Sequence, residues 1–574
     1  MRLMRLVALG ALLLLAACQP LTSGDQPPTP LATTDPPSPT PVPSPVVIPA
    51  VVGSRSAGDP KAPELGNTGY DVGHYDLTLR LDPAAKRLTG RAAIEAEATL
   101  DRLAQISLDF ADGMDIAGVT IAGQPSPWQY QDNKLLVSLP RPYARGERFR
   151  VAVDYSGPIR PIQSRYVNFA GVGMQVRDDG SLFVMGEPDG ARAWFPANDT
   201  PLDKATFRFD ITVPHPLVAS VTGTLHETRL TSDGVRSVWE MSAPMAPYLA
   251  NIMAAPYDLI ESQSPRGVPL RHYVPIGRRD ELAPLLAISG PALDWLAERL
   301  GPYPFTQFGY TVVGLPGASL EGQSNVLLSE KMLGENTLVH ELVHQWFGDS
   351  VSLASWADIW RNEGLATYLT LLWEHRDGDE AAIERTLNDW ETTMVERPTD
   401  YPLGDPPAEK LFAADSYIKG AWLAHMLRRR VGDEAFYRAL RTYLQRYRDR
   451  AASRAEFEAV FSEVAGQDMR PLFDYWLDRR GLPSLDVTWT ARALDGRTRV
   501  EAQVCGVDGL PSPSAVAVVV QGEGMTQAAR LPLRSGERIQ VDIPFVPTGI
   551  AVDPGEQVLA RETVNQVVTL GPCP

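Results

Sequence analysis

The chain has 574 residues, which is more than a single hydrophobic core usually serves, so several domains are expected. Its formal net charge of −17 excludes the basic face that follows a phosphate backbone, and nucleic acid is not an expected partner. Length and charge together favour an acidic multidomain protein, and they predict no particular oligomeric state.

The N-terminus has the pattern of an export signal. Two arginines precede an apolar run over residues 6–17, which is too short to span a bilayer as a mature helix, so residues 1–17 are predicted to be a signal peptide. The run ends in Leu15-Ala16-Ala17-Cys18, which resembles a bacterial lipobox with Cys18 as the lipid-bearing first residue. The alternative is an ordinary signal peptide followed by a chance cysteine. Export is expected in both cases, and the lipid would anchor the protein at a bacterial cell membrane or cell surface.

Residues 18–63 are rich in Pro, Thr and Ser, a composition that cannot bury a core, and they are predicted to be an extended spacer. Such a spacer would hold a folded protein away from a membrane, which favours lipidation over simple secretion. The alternative is a disordered tail without that role.

Three folded regions are predicted after the spacer. Short alternating runs broken by turn residues indicate an antiparallel β domain over residues 64–262. Apolar residues three and four apart then indicate a mainly helical domain over 263–482, and alternation returns in a small β domain over 483–574. The fold class is therefore multidomain α+β. In the last domain, Cys505 and Cys573 are expected to form a disulfide, although two separate buried thiols would give the same sequence.

The strongest chemical signal is His340-Glu341-Leu342-Val343-His344, framed by apolar residues at helical spacing. Two histidines four residues apart point the same way on a helix, so both imidazoles can reach one ion. Glu341 is rotated by about 100° from His340, which leaves its carboxylate near the ion without binding it. In this arrangement a carboxylate can take a proton from a water molecule at a zinc ion.

A third ligand is expected from the next helical pattern. Glu363 follows His344 by nineteen residues, which suits a loop and an antiparallel helix that brings its carboxylate to the open side of the ion. Two His and one Glu leave a fourth position for water, so one zinc ion per chain is predicted.

Residues 340–348 and 356–368 resemble, almost residue for residue, the zinc motif of the gluzincin aminopeptidases typified by aminopeptidase N, a family that includes the leukotriene hydrolases. The resemblance extends over about 70–487. It implies a thermolysin-like catalytic domain, zinc bound by His340, His344 and Glu363, and Glu341 as the general base. The large C-terminal helical domain of the family has no counterpart in the sequence.

The resemblance also implies a site for the amino terminus of a peptide. Ala318-Ser319-Leu320-Glu321-Gly322 lies where the family has Gly-Ala-Met-Glu-Asn, so Glu321 corresponds to the residue that binds the substrate ammonium group. Glu187, in Glu187-Pro188-Asp189-Gly190, matches a second amine contact. Leu320 and Gly322 depart from the family pattern and put the side-chain preference in doubt. A solvated loop carboxylate is the alternative for Glu321, and a structural role is the alternative for Glu187.

Tyr417, in Asp415-Ser416-Tyr417-Ile418-Lys419-Gly420, resembles the family tyrosine that donates a hydrogen bond to the tetrahedral intermediate. The expected function is therefore that of a zinc aminopeptidase acting on peptides. Three alternatives remain: an endopeptidase with the same site, an epoxide-type hydrolase, and an inactive peptide-binding lipoprotein.

Overall fold

The computed structural model of the protein describes residues 50–167, 171–315, 317–507, 509–511, 513 and 515–573. The predicted signal peptide, Cys18 and residues 19–49 of the predicted spacer lie outside this part of the chain. Within it, no helix combines the length and the apolar character that a membrane span requires.

The first folded region is made of strands. They are β1 (Val51–Val52), β2 (Tyr70–Asp82), β3 (Arg87–Ala98), β4 (Leu103–Asp109), β5 (Asp115–Ile121), β6 (Gln124–Pro125), β7 (Trp128–Gln131), β8 (Lys134–Tyr143), β9 (Arg148–Pro158), β10 (Gly173–Val176), β11 (Leu182–Met185), β12 (Ala205–Val213), β13 (Val218–Val221), β14 (Thr224–Thr231), β15 (Gly234–Met245) and β16 (Ile252–Ala255). Alternation explains them: Leu77, Leu79 and Leu81 of β2 are buried while the residues between them face outward.

These strands form three sheets. The largest has the order β14-β15-β12-β2-β3-β9-β5-β6, and two four-stranded sheets have the orders β1-β4-β8-β7 and β10-β11-β16-β13. Pairing is antiparallel in most of the region, with β12 parallel to β2 and β1 parallel to β4. The predicted N-terminal β domain is therefore present.

The folded region begins earlier than the predicted end of the spacer at residue 63. β1 pairs with β4, Ala62 is buried, and the carboxylate of Asp59 accepts a hydrogen bond from the backbone N–H of Trp356 at 2.8 Å. Residues 50–63 are thus held by contacts with distant parts of the chain, which a local Pro-rich composition does not reveal.

The middle region combines helices with a small sheet. Its elements are β17 (Tyr257–Gln263), β18 (Pro269–Pro275), α1 (Arg279–Leu286), α2 (Ser289–Leu300), β19 (Gly309–Val313), β20 (Asn325–Ser329), α3 (Glu335–Val343), β21 (Val351–Leu353), α4 (Ile359–Glu374), α5 (Glu380–Glu396), α6 (Ala414–Val431), α7 (Asp433–Arg446), β22 (Arg450–Ala452), α8 (Arg454–Ala465) and α9 (Arg470–Asp478). The sheet order is β17-β18-β19-β20, so β17 belongs to this region although the predicted boundary cuts through it.

The last region contains β23 (Ser484–Leu494), β24 (Arg497–Cys505), β25 (Ala515–Gly522), β26 (Met525–Pro532), β27 (Arg538–Ile543), β28 (Gly549–Val552) and β29 (Arg561–Gln566), in two sheets. Its apolar side chains belong to the same buried cluster as the apolar side chains of the helices in the middle region. Cys505 and Cys573 are joined by a disulfide, which confirms that prediction. The multidomain α+β fold is also confirmed.

Candidate active site

Three side chains from two helices converge at one point. His340 Nε2 lies 3.2 Å from Glu363 Oε2 and 3.2 Å from His344 Nε2, and His344 Nε2 lies 3.5 Å from Glu363 Oε2. Among the residues that the structure describes, this is the group of His, Cys, Asp and Glu side chains close enough to hold a metal ion. The residues predicted as metal ligands are therefore brought together.

The packing of α3 against α4 produces this convergence. The two histidines are one helical turn apart, and α4 is buried along nearly its whole length, which fixes the position of Glu363 beside them. α3 begins at Glu335 with Gly334 before it, so Asn336 and Thr337 lie inside its first turn.

The second ring nitrogen of His344 has a backbone partner. His344 Nδ1 lies 3.1 Å from the carbonyl oxygen of Phe347, so the N–H is on Nδ1 and the lone pair of Nε2 faces the other two ligands. The donor set is two imidazole nitrogens and one carboxylate oxygen, a combination that zinc prefers. The residues present therefore fit a zinc ion.

The ligands open into a cavity of about 690 Å³. Glu341 lines this cavity with His340, His344 and Glu363, and only 8% of its surface is exposed. Its carboxylate belongs to the residue next to a ligand and is available to a water molecule in the cavity. This is the position that the sequence pattern predicts for a general base.

Glu187 and Glu321 lie together in the same cavity. They are electrostatic neighbours, and within the described ranges Oε1 of each is buried with no hydrogen-bond partner. Burial raises the pKa of both carboxyl groups, and the charge of Glu321 raises the pKa of Glu187 further. Their unpartnered oxygens offer a site for a cation.

Tyr417 is held over His340 by a close contact between two helices. A Cβ atom on Gly364 of α4 would lie 2.4 Å from the backbone of Gly420 of α6, so only glycine allows the two helices to approach this closely. Tyr417 is one turn before Gly420, and its ring stacks on His340 with centroids 6.0 Å apart. Burial, and next the charge of Glu363, raises the pKa of Tyr417, which keeps the phenol protonated as a hydrogen-bond donor.

Sequence reasoning missed Gln345, which connects the two halves of the site. Its Nε2 donates to the carbonyl oxygen of Glu321 at 3.1 Å, and its Oε1 accepts from the backbone N–H of Ser324 at 2.7 Å. Gln345 is fully buried directly after the ligand His344. The available signal was a polar residue between the apolar pairs Leu342-Val343 and Trp346-Phe347, because a polar group that is buried in such a setting needs partners.

A steric constraint explains why residue 322 is glycine in this chain. A Cβ atom at this position would lie 1.9 Å from Asn251 Nδ2, which donates to the carbonyl oxygen of Asn325 at 2.8 Å. The glycine therefore leaves space for a side chain that fixes the loop after Glu321.

The fold and the two-His, one-Glu centre define the class of thermolysin-like zinc metallopeptidases. Two models of one family match the chain: the Peptidase M1 N-terminal domain over residues 72–249 and the Peptidase family M1 domain over residues 320–476. The chain belongs to the M1 peptidase family.

Solved and curated proteins agree with this assignment. The chain is similar to an M1 zinc metallopeptidase from Deinococcus radiodurans, solved as a mutant bound to a Tyr-Ser-Ala substrate, with 29% identity, a TM-score of 0.67 and coverage of 75% of this chain and 98% of that one. It is 27% identical to the human glutamyl aminopeptidase over 52% of this chain and 34% of that protein. It is 25% identical to aminopeptidase M1-B of Oryza sativa subsp. japonica over 71% of this chain and 50% of that protein. The chain thus spans half or less of the length of these curated relatives.

Proposed function

We propose that the protein is a zinc-dependent aminopeptidase that removes single residues from the amino terminus of peptides. The observation that supports this most directly is the pair Glu187 and Glu321, whose unpartnered buried oxygens lie in the same cavity as the three metal ligands. A peptide ammonium group is the cation that such a pair would bind. Its position would fix the cleaved bond one residue from the end of the peptide.

One zinc ion per chain would be held by His340, His344 and Glu363. When bound, zinc acts as a Lewis acid that polarises the scissile carbonyl group and increases the acidity of water. The convergence of the three ligand atoms supports this assignment.

The chain supplies the remaining chemistry. Glu341 takes a proton from the attacking water and later gives it to the amine that leaves. Tyr417 donates a hydrogen bond to the carbonyl oxygen as negative charge develops there. Glu187 and Glu321 accept hydrogen bonds from the substrate ammonium group and hold the peptide while the bond breaks.

The proposal is tested by identifying the products of a free peptide and of its N-acetylated form by mass spectrometry. The zinc-loaded protein is expected to release the first residue of the free peptide and to leave the acetylated peptide intact. Internal cleavage of the acetylated peptide would contradict the proposal in favour of an endopeptidase. Binding of the free peptide without any cleavage would favour an inactive binding protein, and turnover confined to epoxides would favour an epoxide-type hydrolase.

We further propose that the protein is exported and anchored by a lipid on Cys18. The proposal rests on the lipobox-like sequence that ends at Cys18 and on the Pro-rich residues that follow it. Cys18→Ser should move the protein from the membrane fraction to a soluble or secreted fraction, because a lipid is the anchor that the variant lacks. Unchanged membrane association of the variant would contradict the anchor.

A further inference from the structure

The cavity continues beyond the metal ligands along α3 and α4. Asn336 and Thr337 line it one turn before His340, and Thr367, Thr370 and Glu374 line it after Glu363. The three α4 residues recur at helical spacing, so they form a strip that ends in the carboxylate of Glu374, with the apolar Leu371 beside it in the lining. This part of the cavity has no role in the mechanism described above.

Glu374 lies away from the amine-binding pair. The electrostatic neighbours of Glu187 and Glu321 include His344 and Glu363, whereas those of Glu374 are Asn336, His375 and Glu335. Asn336 precedes His340 by four residues, a rise of about 6 Å along a helix. On α4, Glu374 follows the ligand Glu363 by eleven residues, a rise of about 16 Å, so its carboxylate lies near the start of α3 and away from the metal ligands.

This position determines which part of a peptide comes near Glu374, if the proposed aminopeptidase function holds. The first residue lies between the amine-binding pair and the metal ligands, and the second residue begins on the other side of those ligands. A long side chain on the second residue extends along the strip of threonines. A short one ends before it reaches Glu374.

The charge at this end of the cavity favours a cation. Glu374 is half-buried, and no Lys or Arg of the described residues is among its charged neighbours. Lys410 also lines the cavity, but it is exposed, so solvent screens its charge, and it follows another carboxylate, Glu409. His375 is the basic electrostatic neighbour of Glu374, but no Lys, Arg or His of the described residues forms a salt bridge with its carboxylate, so a guanidinium or ammonium group there would gain an ion pair.

We propose that Glu374 selects peptides whose second residue is arginine or lysine. The carboxylate of Glu374 pairs with the charged group of the basic side chain. The threonines of the strip contact the methylene groups of that side chain. Glu374 is thus a specificity residue that contacts the substrate and leaves the reacting bond to the metal centre.

The test compares three tripeptides with the zinc-loaded protein: Ala-Arg-Ala, the same peptide with neutral citrulline in place of arginine, and Ala-Ala-Arg. We expect kcat/KM for release of the first alanine to be about five- to thirtyfold higher with arginine than with citrulline. In Glu374→Gln the ratio should fall to about twofold or less, because the amide keeps a hydrogen-bond acceptor for Asn336 but loses the charge.

Glu396→Gln is the matched control, because it removes an exposed carboxylate at the end of α5 that neither lines the cavity nor is an electrostatic neighbour of Glu374. It should keep the wild-type ratio. A wild-type ratio near one, an unchanged ratio in Glu374→Gln, or a stronger preference for arginine in the third position would each overturn the proposal.

Failure of this inference can be distinguished from failure of the aminopeptidase function. Alanine release from the citrulline peptide without selectivity would contradict the role of Glu374 alone. If no tripeptide is cleaved, the aminopeptidase proposal is contradicted, and calorimetry with the arginine and citrulline peptides still decides the role of Glu374. Equal dissociation constants for the two peptides would then overturn it.

Discussion

Buried carboxyl groups gather in two regions of this molecule, and the partners of their oxygen atoms differ between the two regions. In the cavity, Glu187 and Glu321 each keep an unpartnered oxygen beside the metal ligands. Where the last β region meets α5, N–H groups donate hydrogen bonds to the carboxylates. The backbone N–H of Ala560 donates to Glu391 at 2.9 Å, and Asn388 Nδ2 donates to Glu556 at 3.2 Å.

Raised pKa values do not separate the two regions. Burial raises the pKa of Glu391 and of Glu562 to about 8 and that of Asp553 to about 7. Burial also raises the pKa values of Glu187 and Glu321 in the cavity. Unpartnered oxygens alone do not separate them either, because Asp553 Oδ2 accepts two backbone N–H groups while its Oδ1 is buried without a partner. A perturbed carboxyl group marks a site when its oxygens face a cavity and other reactive groups.

The largest expected difference between the two regions is the effect of substitutions on the zinc content of the protein. His344→Ala and Glu363→Ala should each purify with less than about 0.1 zinc per chain and without activity, since each removes one of three protein ligands. Glu391→Gln, in the second region, should keep the wild-type zinc content by mass spectrometry of the metal. Stoichiometric zinc in both ligand variants would refute the ligand set.

The next effect separates binding of zinc from chemistry within the cavity. Glu341→Gln should keep its zinc and lose about a hundred- to ten-thousandfold in kcat, because an amide cannot accept the proton. Steady-state kinetics with a free peptide, at equal metal content, measures the loss. Activity within tenfold of wild type would show that another group acts as the base.

The smallest effect belongs to the second region and concerns stability. The folded pKa of Glu391, about 8, exceeds the ordinary value of an unfolded Glu, about 4.3, so the folded state binds more protons between these values. Its contribution to stability is therefore complete below about pH 4 and is lost as the pH rises through about 8.

We thus expect the Tm of wild type to fall by about 2 °C or more between pH 6 and 9, and to fall less in Glu391→Gln, whose amide does not titrate. Glu396→Gln, on the exposed side of the same helix, should follow wild type. A variant slope equal to that of wild type would show that Glu391 does not titrate in this range.

The sequence was sufficient for groups that one helix or a fixed spacing brings together. The four-residue spacing of His340 and His344 defines two ligands, and the helical return predicts Glu363 as the third. The contacts that the sequence did not predict join distant parts of the chain. Asn251 reaches Asn325 across 74 residues, and Asp59 reaches Trp356 across 297. Local periodicity contains no information about such pairs.

The proposal that Glu321 binds the substrate ammonium is tested most directly by two peptides that differ only at the first residue, with hydrogen in place of its amino group in one of them. A charge-assisted hydrogen bond contributes about 1.5–3 kcal/mol, so Glu321→Ala should lower kcat/KM for the free-amine peptide by about ten- to a hundred-and-fiftyfold. The zinc content should not change, and the peptide without the amine should lose about threefold or less. An equal loss with both peptides would mean that Glu321 supports the fold or the metal centre, and it would contradict the aminopeptidase account.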